Sequence, residues 1–515
     1  MELGPAHLRE EPLFSTPRFS ARKGKAAPSR RTAFQLDGYG RNLSFGAAMH
    51  PDPQRLSDLT PEQRKSGLAA WLGWLFDGLD MHIFTLVAVG FVAILVNADT
   101  FRADFSASDK NGDGFLDAGE WTAADPIGVA DKNHDGRVSR EEYEVYAART
   151  HTGDAEVKQK ASWIQAAFLI GWALGGAFFG RLGDLLGRSR SLSLTVLTYA
   201  AFTGLSFFAQ TWWQLMIFRF LAALGIGGEW AVGSTLLAET WPKKWRPWTA
   251  AVLQTGVNLG VVIAVIAGNL LAGEHPRWIF LIGVAPALLV FYIRRHVPEP
   301  ETWAAERSHA PKPSVMDLFR GPTRRITLVS VGICAFSLTA WWAFMFWQTQ
   351  HVRSLPEVVE MSASARDNLV NTTFGWVIGI SIVGNFVAGW IAQRIGYKRA
   401  LLLMFAGFVV TMTAAFGSEH SVAAMTKFWL PAVGFWSGVF GLFTMLLPPL
   451  FPTLLRTTGA GFCYNIGRIA AAAGTIVAAQ TSHQGDYRLT LLYDGFLFIP
   501  AMIFTLLLPI PADHR

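Results

Sequence analysis

Charge is scarce in this sequence. Only 16% of its 515 residues are Asp, Glu, Lys or Arg, against about 25% in ordinary soluble chains. With 51% hydrophobic residues, that scarcity excludes a soluble globular fold and predicts a polytopic membrane protein. Cysteine is nearly absent. Cys334 and Cys463 are the only two, both inside apolar runs, so neither a disulfide framework nor a thiolate metal site follows. No nucleophile–base constellation, nucleotide-binding loop or HExxH motif occurs, and an enzyme is not expected. No cleavable signal peptide is expected at the start of the sequence, whose first 60 or so residues are polar and basic. The net charge of +6 is no nucleic-acid signal, because the basic residues sit in short loops between apolar spans.

What is present in abundance is apolar runs long enough to cross a bilayer, which takes roughly 20 residues. They fall at about 67–96, 161–179, 191–208, 212–239, 248–272, 277–294, 326–350, 367–392, 400–417, 426–448, 458–480 and 488–509. The expected fold is an all-α membrane protein with twelve transmembrane helices. Residues 1–66 read as a disordered basic cytoplasmic segment, with Met49 an alternative start, and 510–515 as a short tail. Both termini are expected in the cytoplasm, because the basic loops at 181–190, 243–246, 294–325 and 394–399 fall on one side. That side is the cytoplasmic face of the cell's inner membrane.

The rare charges inside these runs are expensive in hydrocarbon and therefore mark a protein interior or a water-filled path. Arg219, Glu229 and Glu239 lie in RFLAALGIGGEWAVGSTLLAE. Arg219 and Glu229 are about 15 Å apart along one helix, so each needs a partner elsewhere. Asp77 and Asp80, in GWLFDGLDMHIF, share a helix face. Their mutual repulsion leaves one of them protonated near neutral pH, the chemistry of a proton-coupled carrier. Arg219 is a candidate contact for an anionic substrate or the partner of a buried acid, and Glu229 a second coupling residue. Gln254, Asn258, Gln348, Asn371 and Asn465 are further pathway polars or interhelical hydrogen-bonding groups.

Residues 97–160 are of another kind, with 14 acidic residues against 8 basic ones. DKNGDGFLDAGE (109–120) and DKNHDGRVSREE (131–142) both fit the twelve-residue EF-hand loop. In the first, Asp109, Asn111, Asp113, the Phe115 carbonyl, Asp117 and Glu120 supply oxygens for Ca²⁺. In the second they are Asp131, Asn133, Asp135, the Arg137 carbonyl, Ser139 and Glu142. Gly114 and Gly136 make the sharp turns, and Leu116 and Val138 are placed to pair the loops through a short strand contact. Only 121–130 separates the loops, so linking helices must be short. This insertion falls outside the cytoplasm.

GRLGDLLGRSR (180–190) resembles the loop between the second and third helices of the major facilitator superfamily, matching at Gly180, Leu182, Asp184, Gly187 and Arg188 and departing at Leu185 and Ser189. Arg219-x5-Gly-x-Gly resembles the family's fourth-helix motif. DGLD resembles the first helix of aromatic-acid and related symporters. EHPRWIFLIGVAPALLVFYIRRHVPEPETW and FPTLLRTTGAGFCYNIGRIAAAAG resemble segments of sugar- and organic-acid-type symporters. The resemblance covers about 71–509 except the insertion, and implies a monomeric carrier in the lipid bilayer that moves a small molecule with protons.

An internal repeat divides the carrier independently. GRLGDLLGRSR at 180 has a partner, GWIAQRIGYKR, at 389, and Pro242-x3-Arg246 has a partner, Pro452-x3-Arg456. Two pseudo-symmetric six-helix halves follow, 67–96 with 161–294 and 326–509, joined by a basic cytoplasmic linker at 295–325. Asp184, Arg188, Glu239 and Arg246 are expected to form an ion-pair cluster at the cytoplasmic mouth. The second half has lost both acids, Gln393 and Pro449 standing in their places, and is not expected to build a cluster of its own. The function expected is proton-coupled uptake of a sugar acid, a sialic-acid-like compound or another small carboxylate. The alternatives are an uncharged sugar or metabolite, or a calcium-responsive sensor that kept the fold without transport.

Overall fold

Thr60 starts the first long helix of the computed structural model. Its side chain accepts from Gln63 N, Gln63 returns the bond, and Pro61 occupies the first helical turn, where its missing N–H costs nothing. The structure describes residues 55–152, 154–271, 274–309, 311–481 and 487–509. The basic segment up to residue 54, the alternative start at Met49 and the tail 510–515 lie outside the described residues. In the first part of the chain the helices are α1 Pro61–Val96, α2 Ala98–Ser108, α3 Arg140–His151, α4 Ala155–Leu186, α5 Arg188–Ser206, α6 Trp212–Thr240 and α7 Arg246–Leu270. The short α8 Ile279–Ile282, α9 Ala287–His296 and the linker helix α10 Glu301–His309 come next. The rest are α11 Gly321–Ser354, α12 Pro356–Val359, α13 Ala363–Ile395, α14 Tyr397–Phe416, α15 Val422–Ala424, α16 Leu430–Trp436, α17 Val439–Leu446, α18 Arg456–Thr481, α19 Tyr487–Phe496 and α20 Phe498–Leu507.

Among the described residues, nine helical segments are long and apolar enough to cross a membrane, ten if the first helix, bent by 49° between Phe84 and Val87, is one span. This is fewer than the twelve read from sequence. α5 has the length but carries Arg188, Arg190 and the serines 189, 191, 193 and 206, which lower its apolarity. α18 is also long, but its side chains at 470–481 lie outside the described ones.

The packing separates two groups. α1 packs on α7, and α4 and α5 pack on α6. In the second group α11 packs on α18 and α13 on α16. The groups meet where α18 lies on α4 and α13 on α7. The repeat read from sequence has a backbone signature. Gly187 between α4 and α5 has φ +112, and Gly396 at the matching place between α13 and α14 has φ +84. A left-handed residue there ends one helix and starts the next with no loop between, and glycine alone adopts it without strain. The Glu299 carboxylate then accepts from Ser189 N and Arg190 N, satisfying amides at the start of α5.

The insertion forms a small body of its own at the far end of α1. α2 follows α1 after the break at Asn97. Strands β1 Phe115–Leu116 and β2 Val138–Ser139 pair antiparallel, Leu116 against Val138, as read from the loop registers. Between the loops only a 3₁₀ turn, Ile127–Val129, is helical. Phe105, Leu116, Ala130 and Val138 make the core of this body, covered by Trp121, Ile127, Tyr143 and Tyr146.

Candidate functional site

The end of the bundle opposite the insertion is fastened by buried ion pairs. Arg188, at the start of α5, is fully buried. Its Nε and Nη2 donate to the two oxygens of Glu239, both at 2.9 Å, and its Nη1 donates to Asp184 Oδ1 at 3.1 Å. The fork on Glu239 is the bidentate geometry that makes arginine–carboxylate pairs strong. Three further sets of bonds cross between the groups of helices, the first from Arg188 Nη2 to the Thr453 carbonyl at 2.7 Å. Arg456 Nη1 reaches Glu239 at 2.9 Å. Asp184 accepts from Thr457 N at 3.2 Å, Thr458 N at 2.9 Å and Thr458 Oγ1 at 2.6 Å. Asp184 therefore caps α18, where a carboxylate also meets the positive end of the helix dipole. The linker joins in, with Trp303 Nε1 donating to the Asp184 carbonyl and Thr453 Oγ1 to Glu306.

Three of the four residues expected in this cluster come together. The second arginine on Glu239 is Arg456, not its repeat counterpart Arg246, which lies near Tyr397. The second half thus contributes to the cluster through Arg456, Thr457 and Thr458, beside the first-half residues expected there. The correction has a simple cause: the partners cross between halves, and spacing within one half cannot reveal them.

The intramembrane carboxylates separate into two sites. Asp80 takes Arg219, with Nη2 to Oδ2 at 3.0 Å, and also accepts from the Thr203 hydroxyl. Both side chains are buried, and the Arg219 guanidinium lies over the rings of Phe84 and Phe168. Of the two roles open to Arg219, the structure places it beside a buried acid. Asp77, one turn away, neighbours Glu229 instead. Gly73 makes this possible: a Cβ there would collide with the Glu229 carboxylate. Glu229 is fully buried, also lies by Tyr199, and neither of its oxygens has a hydrogen-bond partner of good geometry. The pairing of Asp77 with Asp80 inferred from their spacing is thus replaced by two environments. α1 and α6 run antiparallel, which sets Gly73 and Asp77 against Glu229 and Asp80 against Arg219.

A cavity of about 400 Å³ lies between the helix groups. Trp74, Asp77, His82, Trp172, Trp230, Gln254 and Asn258 line it from one side, and Trp341, Trp342, Ser381, Asn385, Tyr464 and Arg468 from the other. Arg468 is the residue the sequence reading missed. It is the one Arg or Lys among the described lining residues. Its guanidinium lies 3.7 Å over the ring of Trp172 and 4.9 Å from that of Tyr464, and Nη1 donates to Asn465 Oδ1 at 2.7 Å. The signal that would have found it is the one that found Arg219, a lone cation in an apolar run. Trp74 Nε1, Asp77 Oδ1, Trp172 Nε1, Asn258 Nδ2, Asn385 Oδ1 and Arg468 Nε are buried lining atoms without a protein hydrogen-bond partner. A buried polar atom left unpaired is costly, so this set is suited to a polar ligand. Among the other polar candidates, Gln254 and Asn258 line the cavity. Asn465 holds Arg468, Gln348 is buried elsewhere on α11, and Asn371 is exposed.

The two loops of the insertion fold alike. Asp109 accepts from Gly112 N and Gly114 N, and Asp131 accepts from Asp135 N and Gly136 N. Asn111, Asp113, Asn133 and Asp135 each accept from the amide two residues on. Asp117 accepts from Gly119 N and Glu120 N, and Ser139 bonds to Glu142. Glu120 accepts from Lys110 N and Asn111 N, and Glu142 from Lys132 N and Asn133 N. Gly114 and Gly136 take φ +83 and +86. Phe115 and Arg137 lie where their carbonyls are to serve, and the Arg137 side chain pairs with Asp113 at 3.6 Å. Among the described residues no group of three or more His, Cys, Asp or Glu is drawn together tightly enough to hold a metal ion. The oxygen donors are hard and numerous, the set that suits Ca²⁺. α3, which leaves the second loop, docks on the helical bundle through Glu144 and His275, 3.6 Å apart and both buried. Burial pushes the Glu144 carboxyl up, but the neighbouring His275 and the Arg140 guanidinium, which donates to it at 3.0 Å, outweigh burial and hold it below its ordinary value.

Residues 147–364 match the family model described as Major Facilitator Superfamily, and 103–123 and 127–145 match that of the EF hand. The chain is 33% identical over 327 residues to a probable 4-methylmuconolactone transporter of Cupriavidus pinatubonensis, covering 62% of this chain and 74% of that one. It is 27% identical over 460 residues to the sialic acid transporter NanX of Escherichia coli, covering 87% and 93%. The solved proton:xylose symporter XylE shares the fold, with a TM-score of 0.61 at 14% identity over 87% of this chain and 96% of that one. These relatives are transporters, not enzymes, and the chain, with two EF-hand matches inserted after its first long helix, belongs to the major facilitator superfamily.

Proposed function

We propose that this protein is a twelve-span secondary carrier of the cytoplasmic membrane that takes up a small organic anion together with protons. The observation that carries the reading is the cavity between the two helix groups, which Arg468 and Asp77 both line. Arg468 supplies a fixed cation for a carboxylate, and its planar fork suits that partner. Asp77 faces the same space and touches Glu229 behind it. Two adjacent buried carboxyl groups with no cation between them are stable when they share a proton, and loss of that proton to one side of the membrane is the coupling step. Asp80 and Arg219 form the ion pair that holds α1 to α6. The relatives named for a muconolactone and for sialic acid support an organic acid as substrate.

The cluster of Asp184, Arg188, Glu239 and Arg456 is the cytoplasmic latch, closed while the cavity is served from the other side. The EF-hand pair lies outside the cytoplasm and binds Ca²⁺ with the twelve loop residues already named. Uptake into proteoliposomes under an imposed pH gradient tests the carrier reading, with 4-methylmuconolactone, sialic acid and, as an uncharged control, xylose. Accumulation of an acid that collapses with the gradient is the expected result. A folded protein that moves none of them, yet responds to calcium, belongs to the sensor reading.

A further inference from the structure

Trp230 and Tyr464 are the lining residues nearest the latch on their helices. Trp230 precedes the end of α6 at Thr240 by ten residues, and Tyr464 follows the start of α18 at Arg456 by eight. On helical rise they stand about 15 and 12 Å from those ends. Their rings are stacked face to face, with centroids 3.9 Å apart and planes 5° from parallel. One ring comes from each group of helices, so the stack spans the seam. Phe443 of α17 stands against Tyr464 with its centroid 6.0 Å away. Beyond the stack, towards the latch, α4 and α18 run in close contact at glycines. A Cβ on Gly180 would lie 2.8 Å from the Thr457 carbonyl oxygen, and one on Gly461 would meet the Gly176 carbonyl. On the cavity side, the next turn of α18 brings Arg468 over the Tyr464 ring.

We infer that the Trp230–Tyr464 stack is the floor of the substrate cavity, a second barrier in series with the latch, and that Tyr464 positions Arg468. The inference rests on the carrier reading for its purpose but not for its test. A carboxylate seated on Arg468 competes with the Tyr464 ring for the same guanidinium. Tyr464 is thereby loosened from its cation just when the floor has to part. Once the latch has opened, only rings that separate across the seam allow a substrate through.

The test is cysteine accessibility, which needs no substrate. Ser381→Cys reports on the cavity and Arg190→Cys, exposed at the latch end, identifies the side from which reagent is added. An impermeant maleimide is applied to vesicles of each orientation, in the wild-type background and with Asp184→Asn to weaken the latch. Trp230→Ala and Tyr464→Ala are each expected to speed labelling of Ser381→Cys from the latch side at least fivefold in the Asp184→Asn background. Tyr464→Phe, which keeps the stacked ring, is expected to leave the rate within twofold. Because the two rings form one barrier, the double alanine variant should label no faster than the faster single one. Unchanged rates in both backgrounds, or a double variant whose effect is the product of the singles, would overturn the floor. If labelling rises while uptake of every acid is absent, the floor stands and the carrier reading falls.

Discussion

Asp184→Asn should open the latch, and the size of the effect follows from which bonds cross the seam. Arg188 meets Asp184 and Glu239 within the same group of helices, so those ion pairs persist when the groups separate. The bonds that must break are those from Thr457 N, Thr458 N and Thr458 Oγ1 to Asp184, from Arg456 to Glu239, and from Arg188 to the Thr453 carbonyl. A hydrogen bond to a charged group contributes about 1.5–3 kcal/mol, against about 0.5–1.5 for a neutral pair. Asparagine removes the charge from three crossing bonds, about 1 kcal/mol each, or about 3 kcal/mol in the closed state alone. That is about a hundredfold in the equilibrium. A closed form populated at about 99% would fall to roughly half. Glu239→Gln weakens only one crossing bond, and its shift should be about tenfold or less. Spin labels at the exposed positions Arg190 and Arg394, one in each half, read the separation by pulsed dipolar spectroscopy. Identical distance distributions in Asp184→Asn and wild type would refute the reasoning, as would a larger shift in Glu239→Gln.

Asp80→Asn leaves Arg219 buried without its counter-charge and is expected to cost about 3–5 kcal/mol of stability, read as a lowered melting temperature, while Asp77→Asn keeps its melting temperature and loses pH-driven uptake. Arg468→Lys keeps the charge but not the planar fork or the face laid on Trp172, and should reduce acid uptake about tenfold or more, measured as initial rates. Calorimetry on the whole protein should find two calcium sites, the first loop the tighter because it carries four side-chain carboxylates to the second's three; Glu120→Gln should remove the tighter one. The Glu144 carboxyl is held below its ordinary value, so its docking on His275 stabilises at neutral pH and is lost as pH falls through that lowered value. Hydrogen exchange of α3 should accelerate there, and an acid-independent rate would count against it.

The EF-hand loops were legible as a motif because a whole loop lies within twelve consecutive positions, and sequence spacing is then close to spatial spacing. The strand pairing of Leu116 with Val138 followed for the same reason. Asp77 and Asp80 were found as charges out of place, but their separation was not legible. It depends on which residues of α6 face each, and the antiparallel crossing with Gly73 as a notch decides that. Arg456 in place of Arg246 illustrates the same limit, since a contact between halves leaves no trace in the periodicity of either. The twelve spans were read from length and apolarity, and α5 meets the first criterion while its serines and arginines defeat the second. Arg468 is legible in principle as a lone cation in an apolar run, but nothing in its own helix shows that the run faces the cavity.

The paired glycines at 187 and 396 point to a history of duplication in which backbone outlasted side chains. Both copies keep the left-handed turn, and both reach across the seam just beyond it: Asp184 to the start of α18, and its counterpart Gln393 to the Lys244 carbonyl before α7. Only the first copy carries acids at these positions, so this end is strapped on one flank by charge and on the other by a neutral hydrogen bond. In the carrier reading such a mouth is expected to part first on its weaker flank, that of Gln393. Restoring acids at Gln393 and Pro449 would give the molecule a second clasp and convert a door that swings into one that must be lifted.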